Sequence, residues 1–263
     1  MKKSLVLTVV LVFVLALSSS ISANEITIVG TGAGIAILDA TGATYSQSNP
    51  EVTVNVPKSI GSGGGIKAVG RDEYLIGRVA RQIKDGEKHF GLNYVPLAKM
   101  PVVFFINGSV GIKNLSAKQV CDIYSGKVAN WNEVGGKDAR IRVVRREDGD
   151  SSLSVLLNMF PGFKDITITT RSKTTYSDQD TLKTVEQKAD TIAFGTYGNA
   201  KNHQVKILNI DGQSPIDTGY PCFGTLALIF KEKNRKGNIN KFVDFATSAA
   251  AHDAIKGAGG IPF

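Results

Sequence analysis

Three times along this chain a β-rich apolar run ends in glycine and hydroxyl residues and gives way to helical spacing. Residues 25–29 alternate as a strand does and run into Gly30-Thr31-Gly32-Ala33-Gly34, after which a helix is expected from Ile35 to about Ser48. Residues 52–57 form a second strand-like run that leads to Ile60-Gly61-Ser62-Gly63-Gly64-Gly65-Ile66-Lys67. The apolar residues 141–144 lead into Arg145-Arg146-Glu147-Asp148-Gly149-Asp150-Ser151-Ser152, and helical spacing resumes at Leu153. Each such turn presents free backbone N–H groups and the positive end of a helix dipole, and both favour an anion. Arg146 adds a planar fork of donors suited to carboxylate, phosphate or sulfate. Taken alone, Ser62, Ser151 and Ser152 are helix caps. The alternation of strands and helices along the whole chain argues for an α/β architecture.

Neither glycine turn fits a nucleotide fingerprint. Glycines at 30, 32 and 34 miss the dinucleotide spacing by one residue, and no acid ends the second strand. Lys67 is followed by Ala68, where a phosphate-binding loop of the Walker type needs Ser or Thr. Further on, strands are expected at 91–96, 102–106, 167–170, 191–195, 205–210 and 226–230. Helices are expected at 115–124, with Ser116 as N-cap and Gly126 as terminator, at 177–189 and at 239–251. Arg78 and Arg81 end an apolar stretch at 74–81, and the usual place for such residues is the solvated surface.

Lys2 and Lys3 precede an uncharged apolar run from Leu5 to Leu17, and small residues follow up to Ala23. This is the order of a secretory signal peptide, so residues 1–23 are expected to be removed by cleavage near Ala23. The run is short for a membrane-spanning anchor, and no later segment is long and apolar enough to span. Cleavage removes two lysines and no acid, taking the formal charge from +8 to +6. The basic residues are scattered, with no dense block or interleaved aromatics, so a nucleic-acid partner is not expected. Cys121 and Cys222 are expected to be separate buried thiols.

Taken together, these motifs resemble the substrate-binding proteins of ABC importers, specifically the phosphate-binding branch. The matching pieces run in order from the leader through Gly30–Gly34 and Gly61–Lys67 to Leu115-Ser116 and Ile123-Tyr124-Ser125-Gly126-Lys127. They continue through Asn130-Trp131-Asn132-Glu133-Val134-Gly135-Gly136, Arg146-Glu147-Asp148-Gly149, Tyr220-Pro221 and Gly259-Gly260-Ile261-Pro262. The resemblance implies a two-lobed periplasmic-binding-protein fold of type 2, with the ligand cleft between lobes joined by two crossing strands. Lobe 1 would take residues 24–102 and 223–263, and lobe 2 residues 103–222. It implies a monomeric protein of the periplasm or secreted space that needs no cofactor. Its partners would be a small inorganic oxyanion, phosphate first, and the permease of an ABC importer.

The resemblance also implies a ligand set. Ala33, Gly34 and Ile35 would offer backbone donors, Ser62 and Ser152 hydroxyls, and Arg146 the charge. Asp148 would orient Arg146 through a salt bridge. Family members often carry Thr where Gly34 stands, and here Thr31 would replace it. Asp150, Ser151 and Ser152 occupy the family's Ser-Gly-Thr positions, so Asp150 puts an acceptor where a donor is usual. The family's lobe-1 aspartate, which accepts the proton of hydrogen phosphate, falls where this chain has Ile76-Gly77-Arg78-Val79-Ala80-Arg81. Either Asp150 supplies that acceptor from the other lobe, or a different oxyanion meets Arg78 or Arg81. Two rivals stay open: a sensory or surface module with altered ligand, and an exported hydrolase of anionic substrates. The second lacks support, since His89, His203 and His252 belong to no recognisable triad or zinc spacing.

Overall fold

The computed structural model describes residues 24–217 and 219–263, so the expected leader lies outside the described residues. The chain opens with β1 (Glu25–Gly30), α1 (Ile35–Ser48), β2 (Thr53–Asn55), α2 (Gly61–Gly70), β3 (Ile76–Val79) and β4 (Asn93–Asn107). There follow β5 (Asn114–Leu115), α3 (Ala117–Ser125), β6 (Arg142–Arg146), α4 (Ser151–Met159), β7 (Lys173–Thr175), α5 (Asp178–Gln187), β8 (Thr191–Thr196) and α6 (Tyr197–Ala200). The last part holds β9 (Val205–Ile207), β10 (Asn209–Ile210), β11 (Phe223–Phe230), α7 (Gly237–Ala246), α8 (His252–Gly257) and β12 (Ile261–Pro262). The main sheet runs β2-β1-β3-β11-β4-β8-β6-β7. β1 is parallel to β2 and β3, and β6 is parallel to β7 and β8, whereas β4 and β11 run against their neighbours.

β4 carries the chain from one lobe to the other. Residues 93–101 pair with β11, and residues 102–106 pair with β8. One hydrophobic core gathers residues from Ile26 to Met100 and from Leu226 to Ala258, and another gathers residues from Val102 to Cys222. The second core is built on aromatic edges, with Phe104 against Tyr124 and Phe160, and Tyr124 against Phe163. The sequence suggested two strands, at 91–96 and 102–106. The structure joins them into one strand of 15 residues. Pro96 faces Ala227 beside a register shift, which is where a strand tolerates a residue without an N–H.

Other expectations are met or displaced for local reasons. Ser116 accepts from Gln119 N at 3.1 Å and Gly126 closes α3 in the left-handed region, as its spacing predicted. The strand expected at 167–170 is absent and β7 lies a few residues later, paired with β6. The run at 205–210 divides at Leu208, because β9 pairs with β4 while β10 pairs with β5. The helix expected over 239–251 ends at Ala246, and a short 3-10 turn, Ala249–Ala251, leads into α8. Cys121 and Cys222 are buried free thiols, and burial pushes the Cys222 thiol up to about 11. Among the described residues no helix is long and apolar enough to cross a membrane.

Candidate functional site between the lobes

The first glycine turn is pressed against its surroundings on every side. Gly30 has φ +139°, and a Cβ there would overlap the Arg78 carbonyl. Thr31 is buried, and its Oγ1 accepts from Ala33 N at 3.3 Å. Ile35 N donates to Gly32 O at 3.3 Å as α1 begins. Gly34 caps that helix without a side chain, and a Cβ there would overlap Leu226. The missing threonine at 34 thus has a steric reason. Gly65 in α2 lets that helix approach β1, since its Cβ would come within 2.8 Å of Gly30 Cα.

Ser62 is not a cap. The N-cap of α2 is Ile60, and the buried Ser62 Oγ accepts from Ala80 N at 3.1 Å, tying α2 to the end of β3. Nor is Arg78 a surface residue. It is fully buried and donates from Nε to Thr31 O at 2.7 Å, from Nη2 to Pro57 O at 2.6 Å, and from Nη1 to Ile28 O. These bonds brace both glycine turns of lobe 1 from behind. Burial lowers the Arg78 pKa to about 10, against the opposing pull of Asp39 and Asp178. Arg81 is held by two hydrogen bonds to Glu87, both 2.8 Å. The expectation that either arginine offers a free fork therefore meets guanidiniums already engaged within lobe 1.

The third turn supplies the opposite wall. β6 ends at Arg146, which is 3% exposed, and the N-cap of α4 is Asp150, whose Oδ1 accepts from Leu153 N at 2.9 Å. Ser151 and Ser152 are therefore buried members of the first helical turn rather than caps. Around Arg146 lie Glu147 Oε2 at 3.1 Å from Nε, Asp150 Oδ2 at 3.1 Å from Nη2, and Asp178 Oδ1 at 3.3 Å from Nη1. Burial works to lower the Arg146 pKa, but the three carboxylates outweigh it and the net direction is up. Burial pushes Asp150 up to about 7, with Arg146 opposing and Asp178 adding to the rise. Two buried polar atoms of this wall, Arg146 Nη1 and Ser152 Oγ, make no hydrogen bond. The approach of Asp178 to Nη1 is an ion-pair contact without hydrogen-bond alignment.

The lobes meet at this point. A Cβ on Gly32 would overlap Asp178 Oδ2, so lobe 1's first turn lies directly on the carboxylate facing Arg146. Thr196 Oγ1 donates to Ala33 O at 3.0 Å, and Asn199 Nδ2 donates to Gly32 O at 3.0 Å. Among the described residues no group of three or more His, Cys, Asp or Glu is arranged to hold a metal ion.

A family model described as a PBP superfamily domain matches residues 18–250. The chain belongs to the PBP superfamily. It is 24% identical over 239 residues to the phosphate-binding protein PstS of Borreliella burgdorferi, covering 85% of this chain and 84% of that protein. It is 25% identical over 241 residues to the phosphate-binding protein PstS of Bacillus subtilis, covering 89% and 79%. A Clostridium perfringens protein with bound phosphate, assigned as a phosphate ABC transporter substrate-binding protein, superposes with a TM-score of 0.79 at 24% identity. That match covers 91% of this chain and 100% of the other, and it bears on the fold.

In this PBP-superfamily chain one expected role needs correction and one residue was missed. Asp148 does not orient Arg146: it pairs with Arg145 and its side chain is 93% exposed. Successive residues of a strand point to opposite faces, so Arg145 and Arg146 cannot share one partner easily. The buried carboxylates on Arg146 are Asp150 and Asp178, and Asp178 was missed. As an acid in the first turn of α5, behind the N-cap Ser177, it looks like an ordinary complement to the helix dipole. Nothing in its local sequence says that α5 aims at Arg146.

Proposed function

We propose that this protein is an exported solute-binding protein that captures phosphate or a similar tetrahedral oxyanion between its lobes for an ABC importer. The carrying observation is the pair of buried donors that make no hydrogen bond, Arg146 Nη1 at the end of β6 and Ser152 Oγ at the start of α4. The first of them faces Asp178, on which Gly32 of the opposite lobe rests. A buried polar group without a hydrogen bond costs on the order of 1–3 kcal/mol, so an incoming anion that satisfies both is favoured. The relatives named above as phosphate-binding proteins support the choice of phosphate.

In this reading Arg146, Ser151 and Ser152 face the ligand from lobe 2, and the first turn, with Thr31, Ala33, Gly34 and Ile35, and Ser62 face it from lobe 1. Arg78 and Arg81 brace lobe 1. Two carboxylates beside one arginine repel a bare anion but accept a hydrogen bond from an anion that carries its own O–H. Asp178 therefore favours a protonated oxyanion over sulfate, and Asp150 joins it once ionised, above about pH 7. The lobes, residues 24–102 with 223–263 and residues 103–222, close as hinged bodies over the ligand. The leader is cleaved near Ala23, and the mature monomer delivers its anion to a permease without turnover.

Isothermal titration of the mature chain with phosphate, sulfate, molybdate and a phosphonate tests the proposal. Phosphate is expected to bind most tightly, and Arg146→Ala to lose it. Absence of binding to all four anions would sink the reading.

A further inference from the structure

The basic residues that are scattered in sequence are not scattered in space. At the other end of β6 from Arg146, an open cavity of about 310 Å³ is lined by Arg140, Arg142, Arg171, Lys173 and Lys188. All five are exposed, and none takes part in an ion pair found among the described residues. No acidic residue lines the cavity. Its floor is made by buried Ile141, Val143, Val144 and Thr191 at the starts of parallel β6 and β8.

Two of the cations have neighbours of their own. Lys173 Nζ donates to the buried Thr184 Oγ1 at 3.0 Å, which holds the ammonium over α5. Arg171 Nη2 lies 3.4 Å from where a Cβ on Gly126 would be, so its guanidinium rests against the end of α3. Arg140 and Arg171 also line an adjoining smaller cavity of about 30 Å³, which extends the basic groove along lobe 2. Five like charges gathered around one groove repel one another, and a ligand bearing several negative charges relieves that repulsion. Arginine forks match phosphate oxygens two at a time, and lysines add point charges. The volume falls at the lower end of the range for small-molecule sites.

We propose that this groove is a second anion site on lobe 2, separate from the interlobe site, and that it takes a compact polyanion bearing two or more linked phosphate groups. The four steps from Arg142 to Arg146 along β6 span about 13 Å at a rise of ~3.3 Å per residue, so the two sites do not share residues. The inference does not rest on the interlobe reading, because it uses none of that site's groups.

The experiment titrates the full mature chain with inorganic tripolyphosphate in the wild type and three variants. Tripolyphosphate is expected to bind the wild type with an affinity that falls steeply with added salt. The triple variant R142A/R171A/K173A should weaken it at least tenfold while leaving orthophosphate binding unchanged. R146A should leave tripolyphosphate binding in place, so failure of the phosphate reading and failure of this one give different results. A control that removes three lysines elsewhere, K233A/K241A/K256A, lowers the net charge equally and should have little effect. Equal weakening by that control would reduce the groove to general charge attraction and overturn the proposal. So would loss of tripolyphosphate binding in R146A, or no binding in the wild type.

Discussion

Asp150 serves two partners with one carboxylate: it caps α4 through Leu153 N, and it lies 3.1 Å from Arg146 Nη2 while buried. Its pKa of about 7 stands well above the ordinary carboxylate value near 3.8. Between those two values the unfolded chain gives up this proton and the folded chain keeps it. The folded state then binds more protons, so this residue's contribution to stability falls as pH rises from about 4 to about 7. Asp150→Asn keeps a good N-cap and removes the titration. The melting temperature of the variant relative to wild type should therefore rise between pH 5 and about pH 7 and level off above it, and a pH-independent difference across that window would refute the assignment. Asp148 and Asp178 make a second pair of expectations. Asp148→Ala removes an exposed partner of Arg145 and should leave melting and phosphate affinity unchanged. Asp178→Ala removes a buried partner of Arg146 and should lower stability by about 1–3 kcal/mol in denaturant titrations.

At the scale of elements, α2 shows how a glycine-rich helix is used for packing in one place and not in another. Alanine is worth about 1 kcal/mol over glycine in a helix interior, so Gly63→Ala, with no atom closer than 3.7 Å, should stabilise by up to that amount. Gly65→Ala gains the same propensity but drives its Cβ against the backbone of Gly30, and the atoms in its way are main-chain and cannot swing aside. A net loss of about 1–3 kcal/mol is expected from overpacking. Paired chemical denaturation of the two variants checks the opposite signs. The same elements show what was legible in the sequence. Turns, caps and strand–helix alternation are local properties, so α1, α3 and the three glycine-hydroxyl turns were readable from neighbouring residues alone. The continuity of β4 through two prolines was not, because it depends on the register shift against β11. Asp178 was hidden for a related reason: its role depends on where α5 meets β6, and spacing within α5 carries no trace of it.

At the scale of the molecule, the chain crosses between the two cores near residues 101–102 and 222–223. The hydrogen bonds across the cleft include, besides one from Lys201 Nζ to Gly257 O, two to the first glycine turn. Those two bonds reach backbone carbonyls of Gly32 and Ala33, so they report lobe approach without touching the groups proposed to hold the anion. A protein that binds only when closed has an apparent dissociation constant divided by its closed fraction. Asn199 is half-buried on α6, and replacing it by alanine removes the bond to Gly32 O while leaving both lobe cores whole. A net hydrogen bond of this kind contributes about 0.5–1.5 kcal/mol. Asn199→Ala should therefore weaken phosphate binding roughly two- to tenfold, since 1.4 kcal/mol is a factor of ten. Small-angle scattering should show a larger radius of gyration for the ligand-free variant than for ligand-free wild type, with the two converging at saturating phosphate. Weaker binding with no change in radius would place Asn199 in direct contact with the anion instead. Unchanged binding and radius together would mean that the interlobe bonds do not govern closure.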